Sequence, residues 1–207
     1  MRSLIFLSFL VLFQVQSLHS QILGYRSPNT RWQVIETDTV KVIYPEGLAP
    51  KASRIADVIH HMARSYPIET PAHLRKTSII LQNETSISNG YVGFGPYRSE
   101  LYMQPFQNPF VLGGLPWEDL LAIHEYRHVQ QLSSTNVGLS NLVFSLFGEN
   151  AYTGMVHLAV PDWYLEGDAV ISETTLTKQG RGRLAAFTNA YRDKLTTGDI
   201  WEYSLLR

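Results

Sequence analysis

"LLAIHEYRHVQQ", residues 120–131, is the stretch whose reading decides the rest of the chain. On a helix, His124 and His128 lie one turn apart on one face, so their imidazoles can converge on a single ion. Glu125 lies one step round, where it reaches a water on that ion without taking a ligand position. This is the division of labour in a zinc hydrolase: nitrogen ligands lower the pKa of a water, and a non-ligating carboxylate takes its proton. With 7 histidines in 207 residues, a chance H-E-x-x-H is expected in about one such chain in a hundred.

The surrounding residues support a helix over 116–132. Pro116 opens it, and Glu118 and Asp119 stand in the first turn, where the helix dipole favours acids. Downstream, Pro161 and Asp162 start a second helix, "PDWYLEGDAVISE" (161–173), which the pattern carries on to Gly180. A catalytic zinc needs a third protein ligand and one open position. Glu166 is the candidate, because it shares a face with Trp163, Ala169, Val170 and Glu173 that otherwise suits burial, and a carboxylate there wants a cation. The alternative is a first-turn acid held by the dipole. Between the two helices, residues 136–160 are apolar but broken at Asn141, Gly148, Glu149 and Asn150. That pattern suits a packed helical excursion or a lid over a cleft, not a membrane span.

Upstream, "WQVIETDTVKVIYP" (32–45) reads as a hairpin turning at Thr37–Asp38. Ala52, Ile55, Ala56, Ile59, Met62 and Ala63 form a helical stripe ending before Pro67, with His60 and His61 off it and at the surface. Strands are expected at 77–82, 91–95 and 100–105, making a small mixed sheet and an α+β fold. "GRGR" (180–183) reads as a helix stop with solvated arginines.

A hydrophobic fraction of 44% fits a folded domain. Lys+Arg 17 against Asp+Glu 18 leaves no basic field to draw in nucleic acid or an anionic membrane. With Cys 0, any metal must be held by nitrogen and oxygen. Residues 1–20 carry Arg2, an apolar run from Leu4 to Val15, and Ser17 and Ser20, the order of a secretory signal peptide; the run is shorter than the roughly 20 residues that span a bilayer. The expectation is an exported protein with no transmembrane span after signal removal, a polar arm over 21–31, and a domain over 32–207.

His124-Glu-x-x-His128 followed by "WYLEGDAVISE" resembles the gluzincin zinc metallopeptidases. In these, a glutamate on a downstream helix completes the site. The hairpin, the next helix and the late "ETTLTKQGRGR" are similar to the smaller peptidase MA-like domains, which in exported bacterial proteins often precede a TolB-like β-propeller. The resemblance covers nearly all of 32–207. It implies a thermolysin-like catalytic domain in which two helices bear the metal and an edge strand near 100–104 lies along the cleft. Zn2+ would sit on His124, His128 and Glu166, with Glu125 as general base and a peptide or protein as substrate. Glu173 would either orient a ligand histidine or be an exposed helix glutamate. The chain ends soon after the third helix, so the resemblance also implies truncation at the C-terminus and continuation, with a propeller, in a longer form.

Arg127 departs from the pattern; it is placed either near the metal or out in solvent. Val170 stands where thermolysin-like enzymes have an aspartate, so that partner must come from elsewhere. No Gly-x-Met-Glu-Asn segment is present, which favours an endopeptidase over an aminopeptidase. No oxyanion-stabilising residue is assigned: Tyr191 and Tyr203 read as packing residues, and His73 and His157 as structural or surface ones. These departures leave a second reading open, a non-catalytic zinc-binding or pseudo-peptidase recognition module of a larger cell-surface protein. The intact Glu125 argues against it.

Overall fold

A computed structural model describes residues 27–67, 74–93 and 97–198. The hairpin pairs β1 (Trp32–Glu36) antiparallel with β2 (Val40–Pro45), with Val34 opposite Ile43. At its turn the Thr37 hydroxyl bonds the backbone of Val40. Helix α1 (Ala49–Ser65) then returns the chain to β3 (Thr77–Gln82), parallel to β2. Strand β4 (Gly90–Gly93) pairs antiparallel with β5 (Arg98–Tyr102), and β5 lies parallel to β3. The sheet is mixed, in the order β1-β2-β3-β5-β4, and the fold is α+β.

That order corrects one expectation. The strand around 100–104 is interior, and the free edge on that side belongs to β4. Glu100 stands on this interior strand although a carboxylate is expensive to bury. Here it is buried with its oxygens taken by Arg98 Nε at 2.7 Å and Gln82 Nε2 at 3.1 Å.

One face of the sheet meets two helices. Val40, Val42, Ile79, Leu81 and Leu101 pack against Ala52, Ile55 and Ile59 of α1, and against Leu121, Tyr126 and Val129 of α2 (Trp117–Ser134). Side chains of α2 are buried nearly all round. The helix is pinned at both ends: Trp117 Nε1 donates to the Tyr102 carbonyl at 2.7 Å, and Gln130 Nε2 to the Tyr66 carbonyl at 3.1 Å. A bidentate pair from Arg54 to Asp119, both contacts 2.8 Å, ties its first turn to α1.

The apolar stretch forms α3 (Gly138–Ala159), two helical pieces joined across a kink at Gly148, where φ is 81°. A left-handed backbone suits a residue without Cβ. Tyr152 and Val156 pack on Leu132, while Leu139, Leu146 and Phe147 stay exposed. Helix α4 (Asp162–Leu176) lies against α2, and a 3-10 turn (Arg181–Arg183) folds back onto it. Helix α5 (Asn189–Thr197) follows. The chain divides into two units, Met1–Thr30 and Arg31–Arg207, and every element named belongs to the second. The signal peptide expected over 1–20, most of the arm over 21–31, Phe94–Gly95, His73 and Tyr203 lie outside the described residues. Among the described residues no helix is long and apolar enough to cross a membrane.

Candidate metal centre

Helices α2 and α4 bring His124, His128 and Glu166 together at an open cleft of about 690 Å³. His124 Nε2 lies 3.2 Å from His128 Nε2 and 3.2 Å from Glu166 Oε2; His128 Nε2 lies 3.5 Å from Glu166 Oε1. The two imidazoles are largely buried, whereas the Glu166 side chain is 60% exposed. The group is therefore walled on the histidine side and open towards the cleft.

The partners of each ring fix its tautomer. His124 Nδ1 sits 2.6 Å from Glu173 Oε1, and an ionised carboxylate only accepts, so Nδ1 carries the proton. His128 Nδ1 sits 2.9 Å from Gln131 Oε1. The amide orientation of Gln131 is set by its other end, where Nε2 donates to Asp168 Oδ2 at 2.7 Å and to the Leu165 carbonyl at 2.9 Å. Both Nε2 atoms thus turn lone pairs towards one point, which also faces a carboxylate. Converging lone pairs without a cation repel, and the His-His-Glu group can hold a metal ion.

Without a metal, a proton takes the cation's place. Burial works against the charged form of His124, but hydrogen bonds to Glu166 and Glu173 outweigh it and hold its pKa up at about 9. Burial, with the charge on His124, lowers that of His128. Burial pushes Glu125 up to about 7 despite the charge of His124, with Glu166 adding to the rise. At pH 8, metal-free protein therefore holds a proton on His124 while Glu125 is mainly ionised. Metal uptake at that pH should release about one proton, with the release fading as the pH rises through about 9. Calorimetric metal titrations at pH 8 in buffers of different ionisation enthalpy check this; heats independent of the buffer would contradict it.

Glu125 stands beside the cluster without joining it. It is 5% exposed and lines the cleft, and its carboxylate makes no hydrogen bond among the described residues. Gly90, on the edge strand, lets it fit: a Cβ there would come within 2.8 Å of Glu125 Oε1 and 3.0 Å of its Cγ.

Of the helical face containing Glu166, Ala169, Val170 and Glu173 are buried and Trp163 is exposed. Glu173 is not an exposed helix glutamate; it is 0% exposed and bonded to His124, supplying the partner that Val170 cannot. Arg127 neither approaches the ligands nor swings into solvent. It grips Asp168 of α4 through Nε at 2.7 Å and Nη2 at 3.1 Å. His157, an exposed residue, bonds Asp162 at 2.9 Å and lines the cleft, while Tyr191 is 68% exposed and is not a packing residue.

The reading of "GRGR" as solvated arginines is corrected. Arg181 turns inward, with Nε 2.9 Å from Glu173 Oε2 and Nη2 bonded to Glu173 Oε1. Arg183 is exposed but donates to the Thr174 and Thr177 carbonyls at the end of α4. Alternation of glycine with arginine was the one signal available: only glycines let that turn press against a helix backbone. No family model, curated protein or solved structure matches the chain.

Proposed function

We propose that this chain is an exported zinc-dependent metallopeptidase domain of gluzincin type that hydrolyses peptide bonds, with Glu125 as general base. One observation carries the reading: two histidine lone pairs and a carboxylate converge at a cleft, beside a buried glutamate that is not one of them. The separations suit zinc. Bonds of about 2.0–2.2 Å to a tetrahedral ion set neighbouring ligand atoms about 3.3–3.6 Å apart; here the two Nε2 atoms are 3.2 Å apart, and each lies near a different oxygen of Glu166, His124 at 3.2 Å from Oε2 and His128 at 3.5 Å from Oε1. The nitrogen and oxygen donor set is also one that zinc accepts.

Zinc held by His124, His128 and Glu166 would supply Lewis acidity towards a carbonyl and a water. Glu125 accepts the proton of the attacking water and passes it to the leaving amine. Gly90–Val92 of the edge strand line the cleft, so an extended peptide can add to β4 and lay its backbone past the site. Trp117, Leu120 and Leu121, with Phe106 and Leu112, make one part of the cleft apolar and favour a large apolar side chain near the scissile bond.

Elemental mass spectrometry of zinc-reconstituted protein, followed by a peptide-library cleavage screen, tests the reading. One zinc per chain with endoproteolytic cleavage is expected; no zinc, or zinc with no cleavage of any peptide, would overturn it. Gly90→Ala should keep the metal yet cost about a hundredfold in kcat/KM, since displacing a reacting group by about 1 Å has that effect. Full activity in that variant would contradict the placement of Glu125.

A further inference from the structure

We propose that Arg181 is a positioning residue of the metal centre: acting through Glu173, it fixes the tautomer and tilt of His124, and the glycines beside it bring its guanidinium back to the site. The proposal rests on the metal centre proposed above.

Glu173 can orient His124 only if its carboxylate is held still. It is wholly buried, where a carboxylate needs partners. Arg181 supplies them. Its fork occupies the two carboxylate oxygens, Nε at 2.9 Å on Oε2 and Nη2 on Oε1, which fixes the carboxylate plane. Oε1 also receives the imidazole Nδ1–H at 2.6 Å. Arg181 Nη2 lies only 2.9 Å from His124 Nδ1 because both donors point at that one oxygen. Rotating the ring would break its bond to a carboxylate that has no freedom to follow.

The local sequence is built for this delivery. A Cβ at Gly180 would lie 2.4 Å from the Glu173 carbonyl oxygen and 2.6 Å from Thr174 Cα, contacts with helix backbone that cannot yield. A Cβ at Gly182 would lie 2.5 Å from Thr174 Oγ1, the atom that accepts the Gly182 N–H at 3.1 Å. Together with the grip of Arg183 on the Thr174 carbonyl at 2.9 Å, these contacts seat the turn on the end of α4 and aim Arg181 along it. The other ligand supplies an internal control. Arg127 also stands behind a histidine, but it braces Asp168, which holds the neutral amide of Gln131, so its influence on His128 is one link further removed.

The test measures zinc affinity by chelator competition, together with the imidazole N–H proton resonance of His124, which needs no metal. Arg181→Ala should weaken zinc about 10–100-fold, the usual cost of an outer partner, and should lose the downfield His124 N–H line; Arg127→Ala should change affinity less. Millimolar guanidinium should restore both readouts in Arg181→Ala, which a general loss of packing would not allow. Should Arg181→Ala fail to fold, Arg181→Gln, which keeps a donor for the buried carboxylate without the charged fork, carries the same comparison. Unchanged affinity with the N–H line intact overturns the role of Arg181. If wild type itself binds no zinc, the metal centre is overturned, and the N–H line alone decides whether Arg181 holds the ring.

Discussion

Glu125→Gln is expected to lower peptide hydrolysis by about 10²–10⁴-fold, the span that a positioned general base contributes, while zinc stays bound at one per chain. The two halves of this outcome follow from different parts of the geometry. Glu125 lies outside the His124, His128 and Glu166 cluster, so an amide in its place removes no ligand. The amide has nearly the same shape, so it fits against Gly90 as the carboxylate does. What disappears is the ability to accept a proton. Steady-state kinetics on a cleaved peptide, with metal content measured on the same sample, check both halves. Hydrolysis within threefold of wild type would remove Glu125 from the chemistry; loss of zinc would make it a ligand.

Glu166→Ala should have the opposite signature, with metal and hydrolysis lost together. Its carboxylate is the only group from α4 among the three candidate ligands, and it closes the open side of the pair of histidines. Removing it leaves two nitrogens, too few for the three protein ligands that catalytic zinc uses. Affinity should fall by more than about 100-fold, beyond what outer partners cost. Fold stability should change little, because this side chain is 60% exposed and packs no core. Equilibrium dialysis against buffered zinc, with thermal unfolding of the metal-free forms, measures the two quantities. Retained zinc at wild-type affinity would show that Glu166 is the dipole-stabilised acid of the simpler reading.

Much of this molecule was legible from its residues where one physical rule dominated. Thr77–Gln82 is a strand with the bounds that its apolar run gave, and α2 begins at Trp117 directly after the Pro116 start signal. The meeting of His124 and His128 followed from helical spacing; Glu166 joins them as expected, but its side chain is 60% exposed at the cleft and not on a buried face. Strand order was less legible, since it depends on which partner each strand finds; β5 is interior, with Glu100 held by Arg98 and Gln82. The roles of Arg127 and Arg181 escaped for the same reason. Only the fold reveals the carboxylate that each arginine meets, half-buried Asp168 for Arg127 and buried Glu173 for Arg181.

The helices that carry the three candidate ligands are stitched together without the ion. Gln131 bonds the Leu165 carbonyl and Asp168, Arg127 grips Asp168, and His124 meets Glu173, so several side-chain links join α2 to α4. In a zinc finger the metal is the tie that makes folding possible. Here side chains other than the three candidate ligands already join the two helices, so under the proposed reading the ion would not be the sole tie between them, and stripping it with a chelator would leave α2 and α4 connected.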